Sequence, residues 1–440
     1  MMTLPEGITS CLQALEQAGF PGYLVGGCVR DSLMGISPHD YDLCTAALPG
    51  EIVTVFRGMP QDLTGIRHGT VRLLPPGQDV GEVEITTFRR EGSYADNRHP
   101  DWVAFVPDIQ EDLARRDFTI NAIAYSPARG YVDPFGGMED IRSGTLRCVG
   151  EPEQRFREDA LRILRGIRFA ARFQLGVEEK TRLAMVSLAP LIDTLSRERV
   201  YEELSSFLTW ARTEDILRFA PILTQAIPEL APAVGFDQHS PHHAYDVFTH
   251  TAHVTGAVLP QTALRWAALL HDIGKVPCFT QDETGRGHFK GHAQVGARMA
   301  AEVLTRLHAP NPVRETAVWL IDHHMTVLQP ELPLVRRSLS RYGQERLELL
   351  LSLQEADMKG KGTSEHENSS RYPRIRALLS QLEQEEGRLT LKSLAVDGND
   401  LMNLGYRGRQ IGEELNALLE QVLEGILPNE KAALIQAAKK

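Results

Sequence analysis

Two aspartates, Asp40 and Asp42, flank Tyr41 a short way beyond a Gly26-Gly27-Cys28-Val29-Arg30-Asp31 turn. On an extended strand, residues i and i+2 point to the same side of the sheet. Two carboxylates held about 6 Å apart repel by roughly 3 kcal/mol at an effective dielectric near 20. A divalent cation removes that repulsion. An all-oxygen ligand set suits Mg²⁺, which commonly also binds substrate phosphates. The glycines upstream let backbone amides approach such phosphates. The combination points to metal-dependent phosphoryl or nucleotidyl transfer, with one ion activating an attacking hydroxyl and a second neutralising the leaving pyrophosphate. A third carboxylate from a neighbouring strand is usual for this geometry. Glu84, in Val83-Glu84-Ile85-Thr86-Thr87-Phe88, is the candidate, against the alternative of a plain solvent-facing strand residue.

Residues Arg155–Arg172 carry six arginines and two acids, Glu158 and Asp159. Asp159, Arg162, Arg165 and Arg168 recur every third residue. On a helix this spacing makes a ridge that winds slowly across one side. Leu161, Leu164, Ile167, Phe169 and Phe173 supply apolar packing beside it. The bland reading is an amphipathic helix with a solvated basic face. The functional reading is a reader of bases and phosphates. An aspartate accepts from an exocyclic amino group, and an arginine donates to the adjacent ring nitrogen. Cytosine and adenine present amino beside acceptor, whereas guanine and uracil present a carbonyl there. A wrong base leaves a buried group unpaired, at roughly 1–3 kcal/mol. An Asp159–Arg162 pair thus accepts CTP and ATP alike without a nucleic-acid template.

A second constellation lies in the histidine-rich middle of the chain. His250 falls on an expected helix over Tyr245–Val254, and His271-Asp272 follows the apolar helix Leu264–Leu270. His292, His323-His324 and Asp357 come after. A His-Asp pair at the end of a buried helix is an awkward structural choice unless a metal neutralises it. His253 shares a helix face with His250 and is an alternative ligand. Lys275, three residues after Asp272, is placed to meet a phosphate.

The elements that must position these groups divide along the chain. Residues 1–145 read as α/β. A helix over Ile8–Ala18 precedes a strand at Tyr23–Val25, the glycine turn, a short helix ending near Gly35, and the Asp-Tyr-Asp strand. Val71–Leu74 and Val83–Phe88 read as further strands, and Asp133–Gly137 as a turn. From about 153 helical periodicity dominates. Lys359–Ser370 has no aliphatic residue and reads as an exposed loop or boundary. Gln381–Gly387 reads as an acidic helix end, and Ile411, Leu415, Leu418, Leu419 and Val422 form an apolar helical stripe. At 440 residues, two to four domains are expected. No apolar run reaches the length of a membrane span, and the N-terminus lacks a signal-peptide pattern. Five cysteines without a CxxC pair suit a reduced cytoplasmic compartment. A net charge of −11 argues against a nucleic-acid-coated protein but allows a local basic track.

Taken in order, these motifs carry a resemblance. The turn Gly26-Gly27 with Val29-Arg30-Asp31, then Asp40 and Asp42, then Arg115-Arg116-Asp117-Phe118-Thr119-Ile120-Asn121-Ala122, then Glu158-Asp159 with Arg162, then Glu198-Arg199-Val200 resemble the successive motifs of bacterial (class II) tRNA nucleotidyltransferases. That family adds CCA, or part of it, to tRNA 3′ ends, and bacterial poly(A) polymerases are its relatives. The resemblance continues at Asp397-Gly398-Asn399-Asp400-Leu401 and Gly405–Gly412, similar to the family's tRNA-contacting tail. It implies Asp40 and Asp42 as Mg²⁺ ligands, Gly27, Arg30 and Arg116 as phosphate and ribose contacts, Asp159 and Arg162 as the base reader, and Arg165 and Arg168 near the triphosphate. Arg89–Pro100 resembles the flexible loop of members that add the terminal A, which favours CCA or A addition over CC addition. The order His250, His271-Asp272, Asp357 resembles HD-type metal-dependent phosphohydrolases, with His292 and His324 (or His323) where two-metal members carry further ligands. Such a domain implies a transition metal (Ni²⁺, Mn²⁺, Co²⁺ or Fe²⁺) and cyclic phosphodiesterase, nucleotidase or phosphatase activity. The fold expected from the resemblance is α+β. A polymerase-β-like nucleotidyltransferase head (1–145) precedes an all-helical neck that reads bases and RNA (146–230), an HD domain (231–360) and a tRNA-contacting tail (361–440). The expected partners are tRNA, CTP and ATP. The rival readings are an A-adding enzyme or poly(A) polymerase and, in another class, a phosphohydrolase whose head only binds RNA.

Overall fold

The computed structural model describes residues 2–74, 81–92, 102–362, 370–386 and 391–439. They form two compact units: Met1–Ala211 with Arg218–Ala226, and Arg212–Leu217 with Ile227–Lys440. No described helix is long and apolar enough to cross a membrane.

The first unit is built on a seven-stranded sheet. Its strands run in the spatial order Gln61–Asp62, Thr70–Leu73, Val83–Thr87, Tyr41–Thr45, Gly22–Val25, Ala124–Ser126 and Gly130–Val132. One neighbouring pair, Tyr41–Thr45 with Val83–Thr87, is parallel, and its register sets Asp42 opposite Glu84. The alternation of each strand divides its side chains between two cores. Leu24, Leu43, Val71 and Ile85 pack with Ile8, Leu12 and Leu15 of the helix Glu6–Gln17. Tyr23, Val25, Cys44 and Phe88 pack on the other side with Ile109 and Leu113 of the helix Ile109–Ala114. The turn expected at Asp133–Gly137 is capped by Asp133, which accepts from the N–H groups of Gly137 (2.7 Å) and Met138 (2.9 Å).

Beyond residue 150 the first unit is mainly helical, although Gly176–Val177 pairs in parallel with Thr145–Leu146 and so interrupts the expected all-helical neck, and the expected ridge also needs a correction. The helix Pro152–Glu158 stops, Asp159 takes an extended conformation (φ −142°, ψ 104°), and a second helix runs from Leu161 to Phe173. Asp159 therefore stands at a break, and only Arg162, Arg165 and Arg168 share a helix. Its carboxylate accepts from the Leu161 N–H at 3.0 Å, a local turn bond across the break between the two helices.

The second unit is also mainly helical. Val247–Ala257, Thr262–Leu270, His292–Arg306, Asn311–His323 and Gln344–Gly360 pack on one another around the buried Trp266, Leu269, Leu320 and Leu350. A short antiparallel strand pair, Thr280–Gln281 with Gly287–His288, interrupts the expected all-helical course. The expected C-terminal stripe lies on the helix Arg409–Leu423, where Leu418, Leu419 and Val422 join Leu401 and Leu434 in a separate small core.

Candidate active site and metal centre

The head site starts from the parallel strand pair. Asp42 lies on the strand Tyr41–Thr45, whereas Asp40 stands one residue before it, in irregular backbone. Asp40 and Glu84 are each near enough to act on Asp42. Desolvation at a cavity floor, then the charge of Glu84 and more weakly that of Asp40, push the Asp42 carboxyl up, while Arg116 opposes them. Asp42 keeps open surface, because the cavity is concave rather than closed. Glu84 meanwhile accepts from Arg72 at 2.7 Å. Repulsion of one acid by two others is the electrostatic condition that a divalent cation relieves.

Asp42 opens into a cavity of about 690 Å³ lined, among the described residues, by nine arginines and three aspartates. Gly27, Arg30, Arg116, Asp159, Arg162, Arg165 and Arg168 all line it, so the structure brings together residues spread over more than a hundred positions of sequence. Asp40 and Glu84 are not among the described lining residues. Each arginine is held by a different device. Arg30 is buried, donates to Asp31 (2.6 and 2.8 Å) and Asn121 (2.6 Å), and lies 4.5 Å from the Phe173 ring centroid. Arg116 bonds to Asp112 at 3.2 Å, and its Nε is buried without a hydrogen bond. Gly26, at φ 71°, lets Arg116 pass: a Cβ there would meet Arg116 Nη1 at 2.9 Å. The left-handed φ of Gly26 favours glycine there, one position before the expected phosphate contact Gly27.

The pair expected to read bases, Asp159 and Arg162, is positioned separately. Arg162 donates to Glu158 (2.9 Å) and to the carbonyls of Arg155 and Arg115 (both 3.1 Å). Asp159 meets Arg199 at 3.5 Å. Arg165 pairs with Asp117 at 2.7 Å, and Arg168 with Glu203 at 2.5 Å. Burial opposes ionisation of Asp117, but Arg165, Asn121 and the Phe118 N–H together hold its carboxyl down to about 2. Arg199 and Asp117, which belong to motifs quoted above without a stated role, also line the cavity. The loop expected to bear on terminal A addition lies, from residue 93 to 100, outside the described residues.

The second unit gathers the expected ligands from five helices. His250 lies within Val247–Ala257, His271-Asp272 ends Thr262–Leu270, and His292 begins His292–Arg306. His324 ends Asn311–His323, and Asp357 lies within Gln344–Gly360. Gly274 permits the close crossing that this requires, because a Cβ there would sit 2.3 Å from the His292 carbonyl oxygen. Asp272 is the hinge of the cluster. Its Oδ2 faces His271 Nε2 (3.1 Å) and His250 Nε2 (3.4 Å), and its Oδ1 faces His292 Nε2 (3.6 Å) and His324 Nε2 (4.0 Å). Asp357 lies 3.0 Å from His250 Nε2. Two overlapping triads result, His250/His271/Asp272 and Asp272/His292/His324.

The histidine tautomers follow from their other nitrogens. Nδ1 of His250, His271, His292 and His324 lies 2.6–3.0 Å from the carbonyls of Gly360, Ala268, Phe289 and Ile321. A carbonyl only accepts, so each Nδ1 carries the proton and each Nε2 offers a lone pair to the centre. Burial, then the His271 charge, holds His324 down to about 4, so it stays a neutral ligand well into acid. Asp272 Oδ2 is buried without a hydrogen bond, although Lys275 Nζ lies 2.7 Å away as an ion pair. Four imidazole lone pairs around an under-satisfied carboxylate fit divalent transition metals. The alternatives resolve geometrically. His253 stacks on Tyr245 and His323 on Trp319, each with centroids 4.5 Å apart and outside both triads. His243, not singled out in sequence, lines the mouth of this centre and is held down to about 3 by burial and then by Lys275.

Fold and sites together define a nucleotidyltransferase head joined to a helical unit carrying an HD-type metal centre. Family models match in the same order: a poly A polymerase head domain over residues 22–147, a probable RNA and SrmB- binding site of polymerase A over 174–233, and an HD domain over 242–358. Both kinds of catalytic domain generally use divalent metals. The CCA-adding enzyme of Levilactobacillus brevis is 35% identical over 97% of this chain and 95% of its own length. That of Streptococcus thermophilus is 32% identical over 99% and 98%. The chain belongs to the CCA-adding enzymes. Among solved structures, the Bacillus stearothermophilus CCA-adding enzyme in complex with CTP is 27% identical, with a TM-score of 0.68 over 99% of this chain and 97% of that one. The Thermotoga maritima CCA-adding enzyme complexed with tRNA, at 19% identity and a TM-score of 0.60, shares the fold.

Proposed function

We propose that this chain adds CMP and AMP, from CTP and ATP, to the 3′ end of tRNA without a template, so building or repairing CCA. The observation that carries this is the single arginine-lined cavity that joins Asp42 to Asp159 and Arg162. The tRNA 3′-hydroxyl oxygen forms a bond to the α-phosphorus, the α–β anhydride breaks, and pyrophosphate leaves. Asp40, Asp42 and Glu84 would hold Mg²⁺, which when bound neutralises phosphate charge and favours the attacking alkoxide. Arg30, Arg116, Arg165 and Arg168 meet the triphosphate and ribose beside Gly27. Asp159 and Arg162 select bases with an amino group beside a ring acceptor, and Arg199 keeps Asp159 turned to the cavity. The head (1–145) and neck (146–230) perform this reaction, and the tail (361–440) contacts tRNA. The test offers tRNA lacking CCA, and tRNA ending in CC, to the full chain with CTP, ATP or both. Incorporation of CMP and then AMP is expected. AMP addition to the CC-ending tRNA alone would make the chain an A-adding enzyme.

The buried histidine cluster favours a second activity in the HD domain (231–360), metal-dependent hydrolysis of phosphate esters at RNA 3′ ends. His250, His271, Asp272 and Asp357 would hold one ion, and His292 and His324 a second through the other oxygen of Asp272. Mixed nitrogen and oxygen donors suit Ni²⁺, Mn²⁺, Co²⁺ or Fe²⁺. Lys275 supplies positive charge for the phosphate. Protein loaded with Ni²⁺, Mn²⁺ or Co²⁺ is expected to open 2′,3′-cyclic AMP, and inert protein would reject the reading. A cytoplasmic location is supported by the five unpaired cysteines.

A further inference from the structure

The cavity at the HD-type centre has two lobes. One, of about 480 Å³, is rimmed by Arg286, His288 and Lys290 and reaches Asp272. The other, of about 310 Å³, runs past Met325 and Val327 to Gln354, Arg371 and Tyr372. They share His324, Met325, Asp357 and Lys361, so the metal-binding residues stand where the lobes meet.

The second lobe contains unspent hydrogen-bonding capacity. Gln354 is 4% exposed. Its Nε2 donates to the carbonyls of His324 (2.9 Å) and Thr326 (2.7 Å), which fixes the amide orientation, because a carbonyl cannot donate. Its Oε1 is buried and accepts no hydrogen bond. Arg371 Nε is likewise buried and donates none. Tyr372 ties the two residues together. Arg371 Nη2 donates to the Tyr372 hydroxyl at 2.6 Å, and that hydroxyl donates to the Gln354 carbonyl at 3.2 Å. The guanidinium is further held over the Tyr372 ring, 4.7 Å from its centroid. Met325 and Val327, 58% and 72% exposed, offer an apolar wall to a flat ligand. Gln354 and Arg371 both line this ligand-sized lobe, and a buried acceptor on one and a buried donor on the other are costly while left without partners.

Resting on the phosphohydrolase reading of this centre, we propose that the lobe is a nucleoside subsite. In it Gln354 Oε1 accepts from an exocyclic amino group and Arg371 Nε–H donates to the adjacent ring nitrogen. The ligand is therefore an adenine or cytosine nucleotide, with its phosphate at the junction of the lobes. Guanine and uracil turn a carbonyl toward Gln354 and are rejected.

The experiment compares kcat/KM of the Mn²⁺-loaded full chain on the 2′,3′-cyclic phosphates of adenosine, cytidine, guanosine and uridine, with bis(p-nitrophenyl) phosphate as a base-free control. Adenosine and cytidine substrates are expected to lead by roughly tenfold or more. Arg371→Gln should bring the four values together, and so should Gln354→Met, which keeps the side-chain length. Equal turnover of the four by the unaltered protein overturns the subsite and leaves the phosphohydrolase reading standing. If neither nucleotides nor the control are turned over, the phosphohydrolase reading falls and calorimetry with 3′-AMP and 3′-GMP decides the lobe by itself. Selective 3′-AMP binding that Arg371→Gln abolishes sustains the subsite, and binding of both or neither overturns it.

Discussion

Asp42→Asn should have opposite effects on stability and on catalysis. Asp42 faces Glu84 in register on the adjacent parallel strand, with Asp40 two residues back. In-register side chains on one face have Cβ atoms roughly 5 Å apart. Two unit charges at about 6 Å repel by roughly 3 kcal/mol at an effective dielectric near 20. Solvent at the cavity mouth and the Glu84–Arg72 pair (2.7 Å) reduce this to about 1 kcal/mol. The sign follows from the carboxyl, which burial and Glu84 push up from its ordinary 3.8. A group harder to ionise in the folded state destabilises the fold once the pH exceeds its unfolded value. In EDTA at pH 7, Asp42→Asn should therefore be the more stable protein by about 1 kcal/mol, or about 2–4 °C in Tm for a unit of this size. Adding Mg²⁺ should raise the Tm of the unaltered chain and leave the variant nearly unmoved. CMP incorporation into tRNA lacking CCA should fall by about a thousandfold, equivalent to ~4 kcal/mol of lost transition-state stabilisation. A variant that incorporates CMP normally, or melts below the unaltered chain in EDTA, would refute the assignment of a metal to this acidic group.

Other outcomes test the remaining parts. Asp117, held down to about 2, contributes stability that is complete above about pH 4 and is lost as the pH falls toward 2. Arg165→Met should move that acid limb upward and cost about 1–3 kcal/mol at neutral pH, read from denaturant unfolding across pH. Asp159→Ala should lower discrimination of CTP and ATP against GTP and UTP by roughly 5- to 100-fold in competition assays, the equivalent of one unpaired buried group. His292→Ala should reduce the HD-bound metal from two ions to one by elemental analysis, and unchanged stoichiometry would remove the second metal.

The sequence was most legible where chemistry and local period coincide. The strands read at Tyr23–Val25 and Val83–Phe88 are present, and in the structure alternation sends Leu24 and Ile85 to one core and Tyr23 and Val25 to the other. It was less legible where a polar residue ends an element instead of lying within it. Asp159 fits a three-residue helical ridge by spacing, yet its short carboxylate bonds the Leu161 N–H and breaks the helix there, as aspartate's competition with the backbone allows. That break matters for function, because Asp159 meets Arg199 from outside the helix that carries Arg162. Glycine roles also depend on backbone conformation that spacing does not reveal: Gly26 takes φ 71°, with the tip of Arg116 close beside it.

The histidine choices show the same limit and how structure overcomes it. His250 and His253 share a helix, and His323 and His324 are neighbours, so spacing leaves each pair open. In the fold the distinction lies in orientation. His253 and His323 stack on aromatic rings, whereas His250 and His324 spend Nδ1 on carbonyls and turn Nε2 toward Asp272 or Asp357. His323 also spends Nδ1 on a carbonyl, that of Trp319 at 2.9 Å, so the far-side bond alone does not single out an expected ligand; the direction of Nε2 does. Gln354 extends that logic one step outward. It donates to the carbonyl of the expected ligand His324, and the same residue lines the lobe where a base would sit, its oxygen buried without a partner. One side chain then bears both on an expected metal ligand and on the choice of substrate. Gln354→Glu separates the two duties: it keeps an acceptor toward the lobe but replaces the donor with a carboxylate oxygen facing two carbonyls. Metal affinity should fall while any preference for adenine survives, and retention of full metal affinity would show that Gln354 does not support His324.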